Sequence, residues 1–181
     1  VTEVSSFQLE TTREFRPLVS AILNLTPDHL NRHHTMEAYG AAKAKIFANQ
    51  NKEQYLIINY DDKLCFDLAK DAECTVVPFS RKSKLDYGVI LEDNKIYVND
   101  KDNKVYICDK RDIRIIGDHN VENVLAAVGI CYFAGIDKEV IAEGIRNFGG
   151  VEHRIEFCAE IRGVKYYNDS KGTNVDASLT A

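Results

Sequence analysis

Three short apolar runs, separated by helix-like patterns, constrain this chain more than any other feature. Leu18–Leu25 follows Pro17 as a nearly continuous apolar stretch, and Gln54–Asn59 and Cys74–Phe79 repeat the texture. A strand with one wet face alternates polar and apolar residues, so runs without alternation predict strands covered on both faces. Between the first two runs, Thr35 can cap a helix over Met36–Asn49. Between the second and third, Asp61 or Asp62 can open a helix with Leu64, Cys65, Leu68 and Ala69 on one stripe. Strand, helix and strand in this order predict a parallel sheet with right-handed crossovers.

The texture changes after Ser80. Tyr87–Leu91, Lys95–Val98 and Lys104–Cys108 are short strands divided by Glu92-Asp93-Asn94 and by Asn99–Asn103, which predicts a small antiparallel β meander. Asp118 is then expected to cap a helix with Val121, Val124, Leu125, Val128 and Tyr132 at helical spacing, closed by Gly135. Asp137 is expected to cap another that turns Val140, Ile141, Gly144, Ile145 and Phe148 inward. The expected fold is therefore α/β, a mostly parallel sheet flanked by helices with a small antiparallel meander. It occupies residues 1–150, because Gly149-Gly150 is the strongest boundary signal in the chain. Arg154–Glu160 and Val164–Tyr167 read as a hairpin that begins a second domain over residues 151–181. Val1 reads as lying inside a strand and Ala181 inside a helix that starts near Val175, so both ends are expected to be cut from a longer protein.

The formal charge of −5 argues against general nucleic-acid binding, since no basic excess is there to neutralise phosphates. A local cationic pocket for one anion is compatible with it. No apolar run approaches the roughly 20 residues of a membrane span. The five cysteines, Cys65, Cys74, Cys108, Cys131 and Cys158, are odd in number and widely spaced, with no C-x-x-C pair. They read as reduced thiols of a cytoplasmic protein.

Four constellations can carry chemistry. Asn24–His34 leaves the carboxyl end of a parallel strand, the edge at which open α/β sheets bind ligands. Asp28 and His29 there suit a metal or a phosphate; a zinc site from His29, His33 and His34 would lack a cysteine partner. At about 100° per residue, Lys43 falls on the apolar stripe with Met36, Tyr39, Ile46 and Phe47. A lysine there must find a partner, lower its pKa or snorkel. A neutral amine at such a place could take up carbon dioxide as a carbamate. Asn120 and Asn123 share one face near a helix start, where two amides could meet a nucleobase edge or serve as caps. His153-Arg154 follows the glycine break, and Asn168-Asp169-Ser170-Lys171-Gly172-Thr173-Asn174 is denser in polar groups than packing requires. No G-x-x-x-x-G-K-[ST] loop and no G-x-S-x-G elbow occurs in the chain.

In order and spacing these pieces resemble the Mur ligases, whose central domain is of the P-loop type. H-N-x-x-N is shared with the folylpolyglutamate synthases, whereas Ser5-Ser6-Phe7-Gln8-Leu9-Glu10 and Asn168-Asp169-Ser170-Lys171 are similar to the D-glutamate-adding branch. The resemblance implies a monomer that joins UDP-N-acetylmuramoyl-L-alanine to D-glutamate in peptidoglycan precursor synthesis, through an acyl phosphate, with ATP and Mg2+ as cofactors and neither nucleic acid nor membrane as partner. It implies that Glu3, His29 and Lys43 (as a carbamate) serve the metal and catalysis. It assigns Asn120, Asn123, Arg154, Asp169 and Lys171 to ATP, and Ser5, Gln8 and Thr173 to the other substrates. Asn31 stands where the family's D-H-x-D pattern has an aspartate. Without a G-K-[ST] loop the chain alone is expected to be inactive. The competing expectations are a sister Mur or folylpolyglutamate-type amide ligase, and a non-catalytic nucleotide-binding module.

Overall fold

Six strands in sequence order build one sheet: β1 (Val19–Ile22), β2 (Tyr55–Asn59), β3 (Thr75–Ser80), β4 (Gly88–Glu92), β5 (Lys95–Asp100) and β6 (Asn103–Asp109). The computed structural model describes residues 1–172. Thr173, Asn174 and the helix expected from Val175 lie outside the described residues. β1 to β4 run parallel, with Val19 opposite Tyr55, Ile57 opposite Val77 and Phe79 opposite Val89. β4, β5 and β6 are antiparallel, so the meander extends the parallel sheet rather than standing apart from it. Asp93 and Asn94, both left-handed at φ 48° and 58°, make the tight turn between β4 and β5.

The helices are α1 (Ser6–Glu10), α2 (Leu30–His33), α3 (Met36–Ala44), α4 (Lys63–Asp67), α5 (Asp118–Phe133) and α6 (Lys138–Asn147). β2 shows why its run is unbroken. Ile57 faces a cluster with Val77, Phe79, Val89, Leu125 and Val128, while Leu56 and Ile58 face the opposite cluster with Ile22, Tyr39, Phe47 and Cys65. All three β2 side chains are fully buried, each contributing about 1.5–3 kcal/mol by leaving water. α5 presses close to its sheet face at Gly129, where an added Cβ would stand 3.1 Å from Ile57 and 3.2 Å from Val89.

Several expectations need correction. No strand includes Val1; residues 1–5 are irregular and Ser5 caps α1. β1 ends at Ile22, because Leu23 to Leu25 are held by side chains from β2's exit rather than by a ladder. α3 gives way after Ala44 to turns with three-residue bonds, such as Ile46 N–H to Lys43 C=O at 3.1 Å. Leu64 is 55% exposed and α4 itself buries only Cys65, while buried Ala69 and half-buried Leu68 follow in the turns after it. Gly117, at φ 103°, occupies the N-cap of α5 and Asp118 is its first residue. Asp137 sits at the N-cap of α6 without a side-chain bond. α6 buries Ile141 and Ala142, whereas Val140, Gly144 and Phe148 stay exposed because one stripe suffices to cover β6 and α5.

A separate two-stranded sheet, β7 (Glu156–Ile161) with β8 (Val164–Asn168), follows the Gly149-Gly150 segment. Among the described residues no helix is long and apolar enough to cross a membrane. Burial pushes the Cys65 thiol up to about 12 and the Cys108 thiol to about 11, while Cys158 is exposed.

Two outcomes follow from this packing. A Cβ at Gly88 would lie 2.0 Å from the Pro78 carbonyl oxygen, and its φ is +121°. Gly88→Ala should therefore lower the stability by at least the about 1–3 kcal/mol of such strain; an unchanged urea midpoint would contradict the β3–β4 geometry. In native protein at pH 8, a thiol reagent should modify Cys158 first and spare Cys65 and Cys108 until unfolding, since neither buried group forms thiolate there. Mass mapping of the labelled peptides reads this directly.

Candidate functional site

The exits of β1, β2 and β3 lie along one edge of the sheet, and side chains sew them together. Asn59 Nδ2 donates to the Leu23 carbonyl at 3.0 Å, and Asp62 Oδ2 accepts from Leu25 N–H at 2.9 Å. The same Asp62 caps α4 by accepting from Cys65 N–H at 3.0 Å. Asp61 works in the other direction. It accepts from Ser80 Oγ at 2.6 Å and from the backbone N–H groups of Arg81 at 2.9 Å and Lys82 at 3.2 Å. Arg81 then reaches the first turns of α5, its Nη1 2.9 Å from Asp118 Oδ2 and its Nε 3.1 Å from Glu122 Oε1. One continuous polar chain therefore runs from the loop bearing His29 to the start of the helix bearing Asn120 and Asn123.

The β1 exit carries the first group of candidate residues. His29 adopts a left-handed φ of 53°, its N–H donating to Asp28 Oδ1 at 2.8 Å and its Nε2 standing 3.6 Å from Asp28 Oδ2. An aromatic bed lies beneath. The His29 ring is 4.9 Å from Phe7 and 6.3 Å from Tyr39, and Lys43 Nζ lies 5.1 Å from the centre of the Tyr39 ring. The half-buried Lys43 thus finds its partner in an aromatic face rather than in a carboxylate. Lys45 turns away, as its spacing requires, and Nζ donates to the Glu10 carbonyl at 2.8 Å. His29 and Lys43 are brought to the same ring. Glu3 is exposed, two residues before the cap of α1, which packs on α3; among the described residues no hydrogen bond or ion pair joins it to His29 or Lys43.

Ser5 and Gln8 first serve each other. Gln8 N–H donates to Ser5 Oγ at 3.3 Å and Ser5 N–H to Gln8 Oε1 at 2.8 Å, a capping box that both residues leave exposed to solvent. The Arg32 guanidinium, 2.7 Å from Glu10 Oε2, holds that carboxyl below its usual range and ties α2 to the end of α1.

Among the described residues no three or more His, Cys, Asp or Glu side chains form a metal-ligating group. His33 is buried with Nε2 taken by Ser6, which removes it from the zinc trio considered above. The exposed donors that stand together here are Asp28 and His29. So small a set does not fit a closed protein cage. It fits magnesium, which keeps several waters and shares phosphate oxygens while using one or two protein ligands.

At the α5 end, Asn120 is buried and donates Nδ2 to the Ile116 carbonyl at 2.6 Å, while its Oδ1 accepts from Asn123 Nδ2 at 3.2 Å. Asn120 is therefore committed to local structure, and Asn123 is the one that reaches a cleft. That cleft, about 470 Å³, lies between α5, α6 and the Ile113–Ile115 segment and is walled by apolar side chains such as Val124, Ala127 and Phe148.

In the second sheet, His153, Arg154, Asp169 and Lys171 are drawn together. Lys171 N–H donates to the His153 carbonyl at 2.9 Å, Ile155 N–H to Asp169 Oδ1 at 3.1 Å, and Asn168 Nδ2 lies 2.8 Å from His153 Nδ1. Arg154 and Lys171 are exposed. Sequence reasoning missed Asp61, Asp62, Arg81, Ser6, Glu10 and His33 as organisers of the edge. The signal for the first two was present, since paired aspartates directly follow a fully apolar strand.

With this geometry in view, the comparisons are informative. Residues 1–131 match the model of the Mur ligase middle domain. The whole chain is 52% identical to the UDP-N-acetylmuramoylalanine–D-glutamate ligases of Thermoanaerobacter sp. (strain X514) and of Clostridioides difficile (strain 630), and it spans 40% of the length of each. Among solved structures, MurF from Acinetobacter baumannii superposes with a TM-score of 0.72 at 18% identity, over 91% of this chain and 36% of that one. UDP-N-acetylmuramate-alanine ligase MurC from Thermotoga maritima gives 0.63 at 22%, over 91% and 36%. These structural likenesses concern the fold, and the sequence matches concern kinship. By its sequence the chain belongs to the Mur ligase family.

Proposed function

We propose that the protein to which this chain contributes its central part is an ATP-dependent ligase that adds D-glutamate to UDP-N-acetylmuramoyl-L-alanine. The observation that carries the reading is the joint seat of His29 and Lys43 on Tyr39, with α1 packed beside it, at the ligand-binding edge of a parallel sheet. The 52% identity across all 181 residues to ligases of that name, of whose length the chain spans 40%, supports the choice of substrate within the family. In this reading the γ-phosphoryl group of ATP passes to the UDP-sugar carboxylate, and the D-glutamate amine then displaces phosphate to leave the amide. Mg2+, when bound, would neutralise charge on the phosphates. Glu3, His29 and Lys43, the last as its carbamate, would hold it.

The chain's own groups have distinct tasks. Ser5 and Gln8 present the exposed start of α1 to the UDP-sugar. Asn123, with Asn120 behind it, offers amide groups at the rim of an apolar cleft that suits a flat base. Arg154 and Lys171 bring positive charge, and Asp169 orders them by holding the Ile155 N–H. Thr173 would approach D-glutamate. The central domain is residues 1–150 in this scheme, and a second domain starts over 151–181. The enzyme works in the cytoplasm, as a monomer, with neither nucleic acid nor membrane as partner.

The full-length protein should release phosphate from ATP only with both UDP-N-acetylmuramoyl-L-alanine and D-glutamate present; a stronger response to another amino acid would assign a sister ligase. The 181-residue chain by itself, which holds no G-x-x-x-x-G-K-[ST] loop, should yield no amide by mass spectrometry. In the full-length protein, Lys43→Ala should lower kcat by at least about 100-fold, the scale of losing one preorganised charged group. Its circular dichroism should be unchanged, because Lys43 is only half-buried. A kcat within a few-fold of wild type would remove Lys43 from the machinery.

A further inference from the structure

Ser6, His33 and Glu10 form a line of polar side chains to which the ligase reading gives no task. Ser6 Oγ lies 3.0 Å from His33 Nε2, and His33 Nδ1 lies 3.5 Å from Glu10 Oε1. In order and chemistry this matches a serine nucleophile, its base and an orienting carboxylate. Burial excludes that use: Ser6 is 3% exposed and His33 7%, so no substrate carbonyl can approach the hydroxyl. What the line does is join α1 to α2 from the inside, across 27 positions of sequence.

The joint matters because α1 has only five residues. A helix so short does not hold together in water without tertiary support. The imidazole supplies that support on every side. Nε2 shares a hydrogen bond with Ser6 while Nδ1 stands 3.5 Å from Glu10 Oε1, so turning the ring gives up the Ser6 contact. Its faces are also occupied, by Phe7 stacked at 5.5 Å with 9° between planes and by Tyr39 at 5.2 Å. Phe7 carries the His29 ring and Tyr39 carries Lys43. Arg32 on the other oxygen of Glu10, and Lys45 on the Glu10 carbonyl, close the far end of the helix.

We propose that His33 is the positioning residue of this site, seating α1, and with it Ser5 and Gln8, against the His29 loop and the Tyr39 platform under Lys43. The chemistry that α1 contacts, a nucleotide sugar, rests on the ligase reading; the seating of α1 does not. His33 touches no substrate in this scheme. It acts through Ser6, Phe7 and Glu10.

The test uses the full-length protein with His33→Phe and His33→Gln. Phenylalanine keeps a ring between Phe7 and Tyr39 but loses both polar contacts, whereas glutamine can restore one. His33→Phe should raise KM for UDP-N-acetylmuramoyl-L-alanine at least tenfold and leave KM for D-glutamate within twofold. His33→Gln should return the first value to within threefold of wild type. Amide exchange at Leu9 and Thr12, which are bonded to the Ser5 and Leu9 carbonyls, should quicken at least tenfold in His33→Phe, with the midpoint of global unfolding little changed. Unaltered KM and exchange would overturn the proposal. So would an equal rise in every KM with a fallen unfolding midpoint, which marks general destabilisation. If wild type does not use this UDP-sugar, the ligase reading fails, yet exchange at Leu9 and Thr12 still decides whether His33 seats α1.

Discussion

Two adjacent carboxylates, Asp61 and Asp62, hold the working edge of the sheet. Parallel strands end with backbone N–H groups that no ladder satisfies, and a partly buried N–H without a partner costs about as much as a lost hydrogen bond. Asp62 meets this need on one side, at Leu25 and Cys65. Asp61 meets it on the other, at Arg81 and Lys82, with the Ser80 hydroxyl as well. Because the two residues are neighbours at the exit of one strand, the loops after β1 and β3 are positioned against the same point. The loop after β1, and through Arg81 the start of α5, are tied to that pair.

From this fixed edge the structure divides its support in two. Toward β1 the support is aromatic: Phe7, His33 and Tyr39 form a bed on which His29 and Lys43 rest. Toward α5 it is ionic: Arg81 grips Asp118 and Glu122, one turn apart on the helix. The α5 start needs such a grip, since Gly117 offers no side-chain cap and Asn120 commits its donor to Ile116. A base-binding amide at Asn123 would thus be placed by an arginine on another strand's exit, and a metal ligand at His29 by one ring on the five-residue α1 and another on α3.

The sheet and its main helices were legible because their cause is local. Unbroken apolar runs in β2 and β3 and the helical spacing of Val121, Val124, Leu125 and Val128 can be read without knowing any partner. The placing of Lys43 on the inner stripe was legible for the same reason. α1 was not. Glu3–Glu10 has neither the length nor the apolar repeat of a helix, and its structure comes from a capping box and from His33, 27 positions beyond Ser6. The use of Asn120 as a brace was likewise hidden, because an amide looks the same in a sequence whether it meets a ligand or a carbonyl. The exposure of Val140 and Phe148 depends on how far α6 reaches over β6, which helical periodicity does not report.

Backbone strain gives an independent view of where the molecule departs from its easiest conformation. Among the described residues, eight other than glycine have positive φ. Asp93, Asn94, Lys101 and Arg162 lie in the turns between consecutive antiparallel strands, where such angles make the hairpins close. The other four are His29, His34, His153 and Ile155, at φ 53°, 68°, 67° and 46°. None closes a hairpin, and His29, His153 and Ile155 each stand at or beside a residue with a role in the ligase reading. Left-handed backbone at a β-branched isoleucine is costly, about 1–3 kcal/mol, and persists only where surrounding contacts over-determine it. Those contacts are visible: Asp169 holds the Ile155 N–H, Glu156 holds the His153 N–H at 2.8 Å, and Asp28 holds the His29 N–H. In all three cases a carboxylate accepts from the strained residue's own backbone, so the fold uses acidic side chains to fix the backbone at His29 and on both sides of Arg154. The same device thus fixes the backbone in each candidate cluster, at His29 on the exit of β1 and on both sides of Arg154 beside the second sheet.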